Sequence, residues 1–80
     1  MGMQELLDVL RAQPFVPFRL HMREGRTRDV LHPDQALVLR TVVVLPILSP
    51  NGVPERLETL SLIHVVGVEQ LTTPVGTNGA

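Results

Sequence analysis

The apolar residues at the start of the chain recur every three or four positions between Met3 and Leu10. That spacing predicts a helix over residues 3–12 with one apolar face. Pro14 ends the helix, because the residue before a proline is disfavoured in the helical region. A helix of about three turns is not stable alone in water, so its apolar face has to lie on another element.

From Phe18 onward the hydrophobic period changes to two. Apolar and polar residues alternate from Phe18 to Arg23, which predicts a strand with one buried face. Glu24–Gly25 supplies a tight turn, and the chain returns as a second strand over residues 26–31. Pro33 ends the second strand, because proline has no N–H to donate to a neighbouring strand.

The remainder of the chain is rich in β-branched residues interrupted by turn residues. Residues 36–39 form a short apolar segment that is either a strand or the end of a bend. In the last predicted strand Val66 and Val68 share one face, because strand residues two apart point the same way. The three later strands are predicted over residues 41–48, 53–60 and 64–71.

One helix followed by about five short strands is typical of a small antiparallel sheet that curls to hide its edges. We therefore predict a mainly β fold in which an N-terminal helix precedes a strongly bent five-stranded antiparallel sheet or small barrel. Residues 1–71 form this single domain. Residues 72–80 are polar and glycine-rich without periodicity, which predicts a flexible tail.

The segment Thr41–Leu48 is apolar on both alternating faces. A strand of this kind has to be covered on both sides, and an exposed apolar row on a strand is a surface for pairing. Pro46 indicates an edge position or a bulge near the end of the strand. We predict self-association through this strand, the alternative being cover by the helix or the tail. The candidate self-association residues are Val42, Val43, Val44 and Leu45.

Composition narrows the classes of function. The chain has no cysteine, only two aromatic residues and a net charge of −1. Disulfide and thiolate chemistry are thereby excluded, and little is available to stack on nucleic acid bases. No signal peptide is apparent, and the longest apolar run is far below the ~20 residues of a membrane-spanning helix. We expect a cytoplasmic protein that does not enter a membrane.

One concentration of basic residues lies on and around the first hairpin. It is a candidate binding site for an anion, an RNA or an acidic partner, and the alternative is a solvated face that protects an edge strand. The candidate anion- or partner-binding residues are Arg19, His21, Arg23, Arg26 and Arg28.

No group of residues predicts catalysis, a cofactor or a metal. Ser49 and Ser61 lack the glycine-flanked setting of a nucleophile, and no glycine-rich phosphate loop is present. The three histidines at positions 21, 32 and 64 do not have the spacing of a metal-binding motif. We expect a protein that is not an enzyme. A small ligand in the mouth of the barrel is an alternative that these residues leave open.

The order of elements resembles the Sm-like fold, one of the small SH3-like barrels. The resemblance rests on the N-terminal helix, the strand and turn from Phe18 to Arg26, the Leu37–Leu39 run and the final Val65–Val68 segment. The opening from Pro14 to Arg26 is also similar to that of small bacterial proteins with a PFxPFxxHxxxGR pattern, whose activity is not assigned.

The Sm-like resemblance implies ring assembly and binding of single-stranded RNA. The family contacts RNA through an Asp and an Asn before the Leu-Val-Leu-like run and through a basic residue and glycine near the last strand. Here Ala36 stands at the Asn position, while Ser61 and Leu62 stand at the basic-glycine positions. We therefore predict a non-enzymatic interaction or oligomerisation module. The alternative function is that of an Sm-like RNA-binding protein.

Overall fold

The computed structural model describes residues 1–71 and has one N-terminal helix followed by short strands. The predicted tail, residues 72–80, lies outside the described residues. Two short 3₁₀ turns, Pro33–Gln35 and Leu62–His64, separate strands along the chain. The elements are α1 (Met3–Leu10), β1 (Phe18–Met22), β2 (Thr27–Val30), β3 (Leu37–Val38), β4 (Val42–Leu48), β5 (Pro54–Ser61) and β6 (Val65–Gln70).

The strands form two three-stranded antiparallel sheets. Sheet A has the order β2-β1-β6, and sheet B has the order β3-β4-β5. The mainly β fold with its N-terminal helix is confirmed. The arrangement differs from the predicted five-stranded sheet, because within residues 1–71 no strand pairing joins the two sheets into a closed barrel. A 3₁₀ turn that begins at Pro33 lies between β2 and β3, so these two strands do not continue as one strand from sheet A into sheet B.

A single apolar core contains side chains from α1 and from both sheets. Phe18 and Leu20 from β1 are fully buried there, as is Val43 from β4. Leu6 and Leu10 bring the apolar face of α1 into the same cluster, which gives the short helix the cover it lacks alone. No polar or charged side chain within residues 1–71 is buried.

The helix begins at Met3 and ends at Leu10, two residues earlier than predicted. The side chain of Glu5 accepts a hydrogen bond of 2.9 Å from the Gly2 N–H, which satisfies one of the free donors at the helix start. At the other end the Arg11 N–H donates to the Leu7 carbonyl at 2.9 Å. The helix therefore has a defined start and stop.

A bulge in β6 changes which of its residues face the core. His21 is paired with Gly67 and Met22 with Val65, so Val66 has no partner on β1. Val65 is consequently 2% exposed and Val66 is 63% exposed. Val68 packs against the core, so the prediction that Val66 and Val68 share one face is wrong. The extra residue of the bulge shifts the alternation by one.

Candidate functional site: the outer faces of the two sheets

The outer face of sheet A is built from the polar residues of β1 and their neighbours across the strands. Arg19 is in register with Asp29 on β2 and with Glu69 on β6. The Nε of Arg19 lies 2.7 Å from Oδ1 of Asp29, and the Nη2 lies 3.2 Å from Oδ2. Two residues along, Nε2 of His21 lies 2.9 Å from Oε1 of Glu69. This face is therefore a row of cross-strand contacts in which a carboxylate lies beside each outward arginine or histidine.

Arg28 points the other way. It is in register with the buried Leu20, so its side chain starts from the inner side of sheet A. Its Nε lies 2.6 Å from Oε1 of Glu58 on β5, and its Nη2 lies 2.9 Å from Oε2 of the same carboxylate. The two side chains are only 29% and 24% exposed. This bidentate pair links β2 of sheet A to β5 of sheet B, two strands that are not paired with each other.

The pairs lower the pKa of their carboxylates. The hydrogen bonds from Arg19 hold the pKa of Asp29 below its ordinary value, and those from Arg28 do the same for Glu58. Both carboxylates are thus ionised at neutral pH, and each neutralises the positive charge of the arginine beside it.

The predicted basic cluster is therefore balanced by acidic neighbours. Besides the three pairs already described, Nη2 of Arg26 lies 3.1 Å from Oε2 of Glu24. Arg23 is the one member of the cluster with no carboxylate within 4.0 Å among residues 1–71. The structure does not bring the five residues together on one face, because Arg28 projects inward while Arg19 and His21 project outward.

The outer face of sheet B is apolar. Leu37 on β3 is in register with Val44 on β4, and Pro46 on β4 is in register with Leu57 on β5. Leu37 is 59% exposed and Leu57 is 70% exposed, while Val44 and Pro46 are half-buried between them. Leu39 continues the same row and is also exposed. We call these five residues, Leu37, Leu39, Val44, Pro46 and Leu57, the sheet B patch.

The sheet B patch includes an open groove with a volume of about 440 Å³. The floor is formed by Val44 and Pro46, and the walls include Leu37 and Leu57. Asp34 contributes the only charged side chain of the lining. A groove of this composition favours apolar contact with another molecule.

The four predicted self-association residues divide between the two sides of β4. Val43 and Leu45 are buried in the core of the protein itself. Val42 and Val44 are half-buried on the outward side, so only these two are available to a partner. A register shift lies between Ile47 and Leu48, but its extra residue is Glu55 on β5, and Pro46 itself stays in register with Leu57. The bulge that Pro46 indicated is therefore not on β4.

Sequence reasoning missed Leu37, Leu39 and Leu57 as surface residues. A signal was present for Leu57, because Leu57 and Leu60 are three apart on one strand and cannot both face the core. In the structure Leu60 is buried and Leu57 is exposed. The adjacent Leu37, Val38 and Leu39 carry the same signal, since consecutive strand residues alternate between faces.

A second, smaller space lies between β2 and β4. It has a volume of about 140 Å³ and is lined mainly by Leu31, Leu45, Ile47 and Leu48. Arg28 reaches its rim, but its guanidinium is engaged by Glu58. The space is therefore mainly apolar, and both charged residues of its lining, Arg28 and Asp29, are already engaged in ion pairs.

The remaining candidate groups do not converge. His21 pairs with Glu69, whereas His32 and His64 are exposed in turns. Within residues 1–71, no three histidine, aspartate or glutamate side chains are arranged to hold a metal ion. No helix of the described chain is both long and apolar enough to cross a bilayer.

Comparison with protein-family models, curated proteins and solved structures found no match to this chain.

Proposed function

We propose that this protein is a non-enzymatic interaction module that forms a homo-oligomer through the sheet B patch. The observation that carries the proposal is the exposure of Leu37 and Leu57 on either side of half-buried Val44 and Pro46. In most antiparallel sheets with one solvated face, the outward positions are polar. Here the outward positions on all three strands of sheet B include apolar side chains that the described chain leaves uncovered.

The size of the patch favours association of moderate strength. Removing the exposed half of a leucine side chain from water contributes about 1 kcal/mol, and each copy brings three such leucines. Association costs ~4–15 kcal/mol in lost freedom of motion. The leucines alone offset only the lower part of this cost, so the net affinity is modest and we expect association to become measurable at high micromolar concentration.

The fold interpretation that accompanies this proposal is an Sm-like or SH3-like barrel that is open between β2 and β4. In this view β2 and β3 correspond to one bent strand, and the 3₁₀ turn at Pro33–Gln35 is the bend. The bidentate contact between Arg28 and Glu58 supports the interpretation, since it ties the two sheets together across the open side.

The alternative function, RNA binding, has less support. Four of the five basic candidates lie beside a carboxylate, so the hairpin offers few free charges to a phosphate backbone. Of the two aromatic residues, Phe18 is fully buried and cannot stack on a base.

Sedimentation velocity over a range of protein concentrations tests the proposal. We expect wild-type protein to associate at high micromolar concentration and Leu57→Asp to remain monomeric. An aspartate there would be an unpaired carboxylate inside an apolar contact, which raises the dissociation constant by about a hundredfold or more.

Ile63→Asp is the matched control for this experiment. Ile63 is 69% exposed, much like Leu57, but it lies in the 3₁₀ turn before β6 and not on the sheet B patch. Ile63→Asp should associate like wild type. A wild-type protein that stays monomeric at high micromolar concentration would remove the proposal.

A further inference from the structure

We infer that the homo-oligomer is a two-fold symmetric dimer in which the sheet B patches pack face to face with their β3 strands antiparallel. This inference rests on the proposed function and adds the identity and orientation of the partner. Two observations carry it: the apolar character of the patch, and the opposite charges at its two ends.

The ends of the sheet B patch carry exposed charges of opposite sign. Asp34 lies before β3 and lines the groove at one end. Arg40 follows β3 at the turn into β4, at the other end. Both are exposed, and neither has an ion-pair partner in the described part of the chain. Six positions separate them, which corresponds to less than ~20 Å along an extended chain.

The other charged residues near the groove do not cancel this polarity. Glu55 follows Pro54, a residue of the groove lining, and adds negative charge at the Asp34 end. Arg56 is in register with Ile47, on the face of β5 opposite to Leu57. The patch is therefore apolar in the middle, acidic at one end and basic at the other.

A charge pattern of this kind is complementary to itself only in one orientation. A two-fold axis that lies in the plane of the contact and runs perpendicular to β3 places the patches face to face and reverses the direction of β3 in the second copy. Asp34 of each copy then lies over Arg40 of the other, and both ion pairs form at once. A parallel arrangement would place like charges together, which is unfavourable. A second copy of this chain, turned by the two-fold axis, therefore matches the patch in both hydrophobicity and charge.

Charge reversal tests the arrangement. Arg40→Asp alone puts two acidic groups together at both ends of the dimer, and Asp34→Arg alone puts two basic groups together. We expect the dissociation constant of each variant alone to be about tenfold higher than that of wild type, because repulsion between like charges replaces two exposed ion pairs. An equimolar mixture of the two variants regains both pairs and should form a heterodimer within about threefold of wild-type affinity.

The controls are charge reversals away from the patch. Arg23→Asp on the first hairpin and Asp8→Arg on α1 change the net charge by the same amounts as the test variants. Each should associate like wild type, alone or mixed. Native mass spectrometry identifies the heterodimer by mass, and sedimentation equilibrium gives the dissociation constants. If either test variant fails to fold, Arg40→Glu and Asp34→Lys replace the pair.

The outcomes separate this inference from the proposal beneath it. If Leu57→Asp abolishes association while the charge variants behave like wild type, the sheet B patch is the contact and the two-fold arrangement is wrong. An assembly larger than two copies also overturns the arrangement and indicates head-to-tail contacts. A monomeric wild type overturns both. If such a monomer dimerises once residues 72–80 are removed, the occupant of the patch is the tail and not a second copy.

Discussion

The outer face of sheet A presents charged and polar side chains to water, whereas the outer face of sheet B presents apolar ones. Both sheets are three-stranded and antiparallel, and both pack their inner faces on the same core. Sheet A presents Arg19 and His21 outward, each beside a carboxylate from a neighbouring strand. Sheet B presents Leu37 and Leu57 outward. A charged face whose charges are internally paired has little to offer a ligand, whereas an exposed apolar face favours a partner.

The difference originates in the two central strands. β1 has the sequence Phe-Arg-Leu-His-Met, and its alternation divides it into a buried side and a charged side. β4 has the sequence Val-Val-Val-Leu-Pro-Ile-Leu, which provides no polar side. The flanking strands differ in the same way. Asp29 and Glu69 lie in register with Arg19. Leu37 lies in register with Val44, and Leu57 with Pro46.

The largest effect on stability is expected from a substitution on the buried side of β4, compared with the same substitution on its outer side. Val43→Ala removes two methyl groups from a fully buried position and should lower the free energy of unfolding by about 2 kcal/mol. Val44→Ala, on the patch side, should lower it by less than about 1 kcal/mol in the monomer but weaken association. Urea denaturation at low protein concentration and sedimentation measure the two effects. Equal losses of stability would contradict the assignment of Val43 and Val44 to opposite sides.

A smaller loss is expected when the link between the sheets is cut. Glu58→Gln removes the charge that pairs with Arg28 at a site about three quarters buried, and should cost about 1 kcal/mol of unfolding free energy. Arg56→Gln, two positions away and exposed, is the control and should be near neutral. A neutral result for Glu58→Gln would mean that the bidentate contact does not hold the sheets together.

The same pair predicts how stability depends on pH. The pKa of Glu58 is lower in the folded protein than in the unfolded chain, because Arg28 donates hydrogen bonds to its carboxylate. Its contribution is therefore complete above the ordinary pKa of a glutamate and is lost as the pH falls through the folded value. The midpoint temperature of thermal unfolding should be constant from pH 7 to about 5 and should fall below about pH 4.5. Glu58→Gln should show a shallower decline than wild type, and an identical decline would contradict the assignment.

The smallest effect is expected on the outer face of sheet A. Asp29→Asn removes an exposed ion pair with Arg19 and should leave the unfolding free energy nearly unchanged, without changing association. Sedimentation and urea denaturation check both points. A marked change in the oligomeric state of Asp29→Asn would show that sheet A, and not only sheet B, takes part in the contact.

Much of the fold follows from local patterns in the sequence. The helix at Met3–Leu10 and the β1 strand at Phe18–Met22 match the predicted periods of apolar residues to within two residues at either end. The turn at Gly25 has a positive φ of 90°, as the glycine there indicated. These features depend on neighbours close in the chain, and local sequence is sufficient to specify them.

Features that depend on strand register were not predictable. The bulge that exposes Val66 arises where β6 meets His21 and Met22, far away in the sequence. The pairing of Arg28 with Glu58 joins strands of different sheets, thirty positions apart. Charge counts along the chain indicate that basic residues are present, but only the register shows that carboxylates neutralise them.

The most direct test of the central claim is isotope-filtered NMR on a mixture of labelled and unlabelled protein at high micromolar concentration. Only contacts between different molecules give signals in this measurement. We predict intermolecular nuclear Overhauser effects at the methyl groups of Leu37, Val44 and Leu57, and none at the side chains of Arg19 or His21. The account would be contradicted by intermolecular contacts confined to sheet A. It would also be contradicted if the protein associates but gives no intermolecular contact at the sheet B patch.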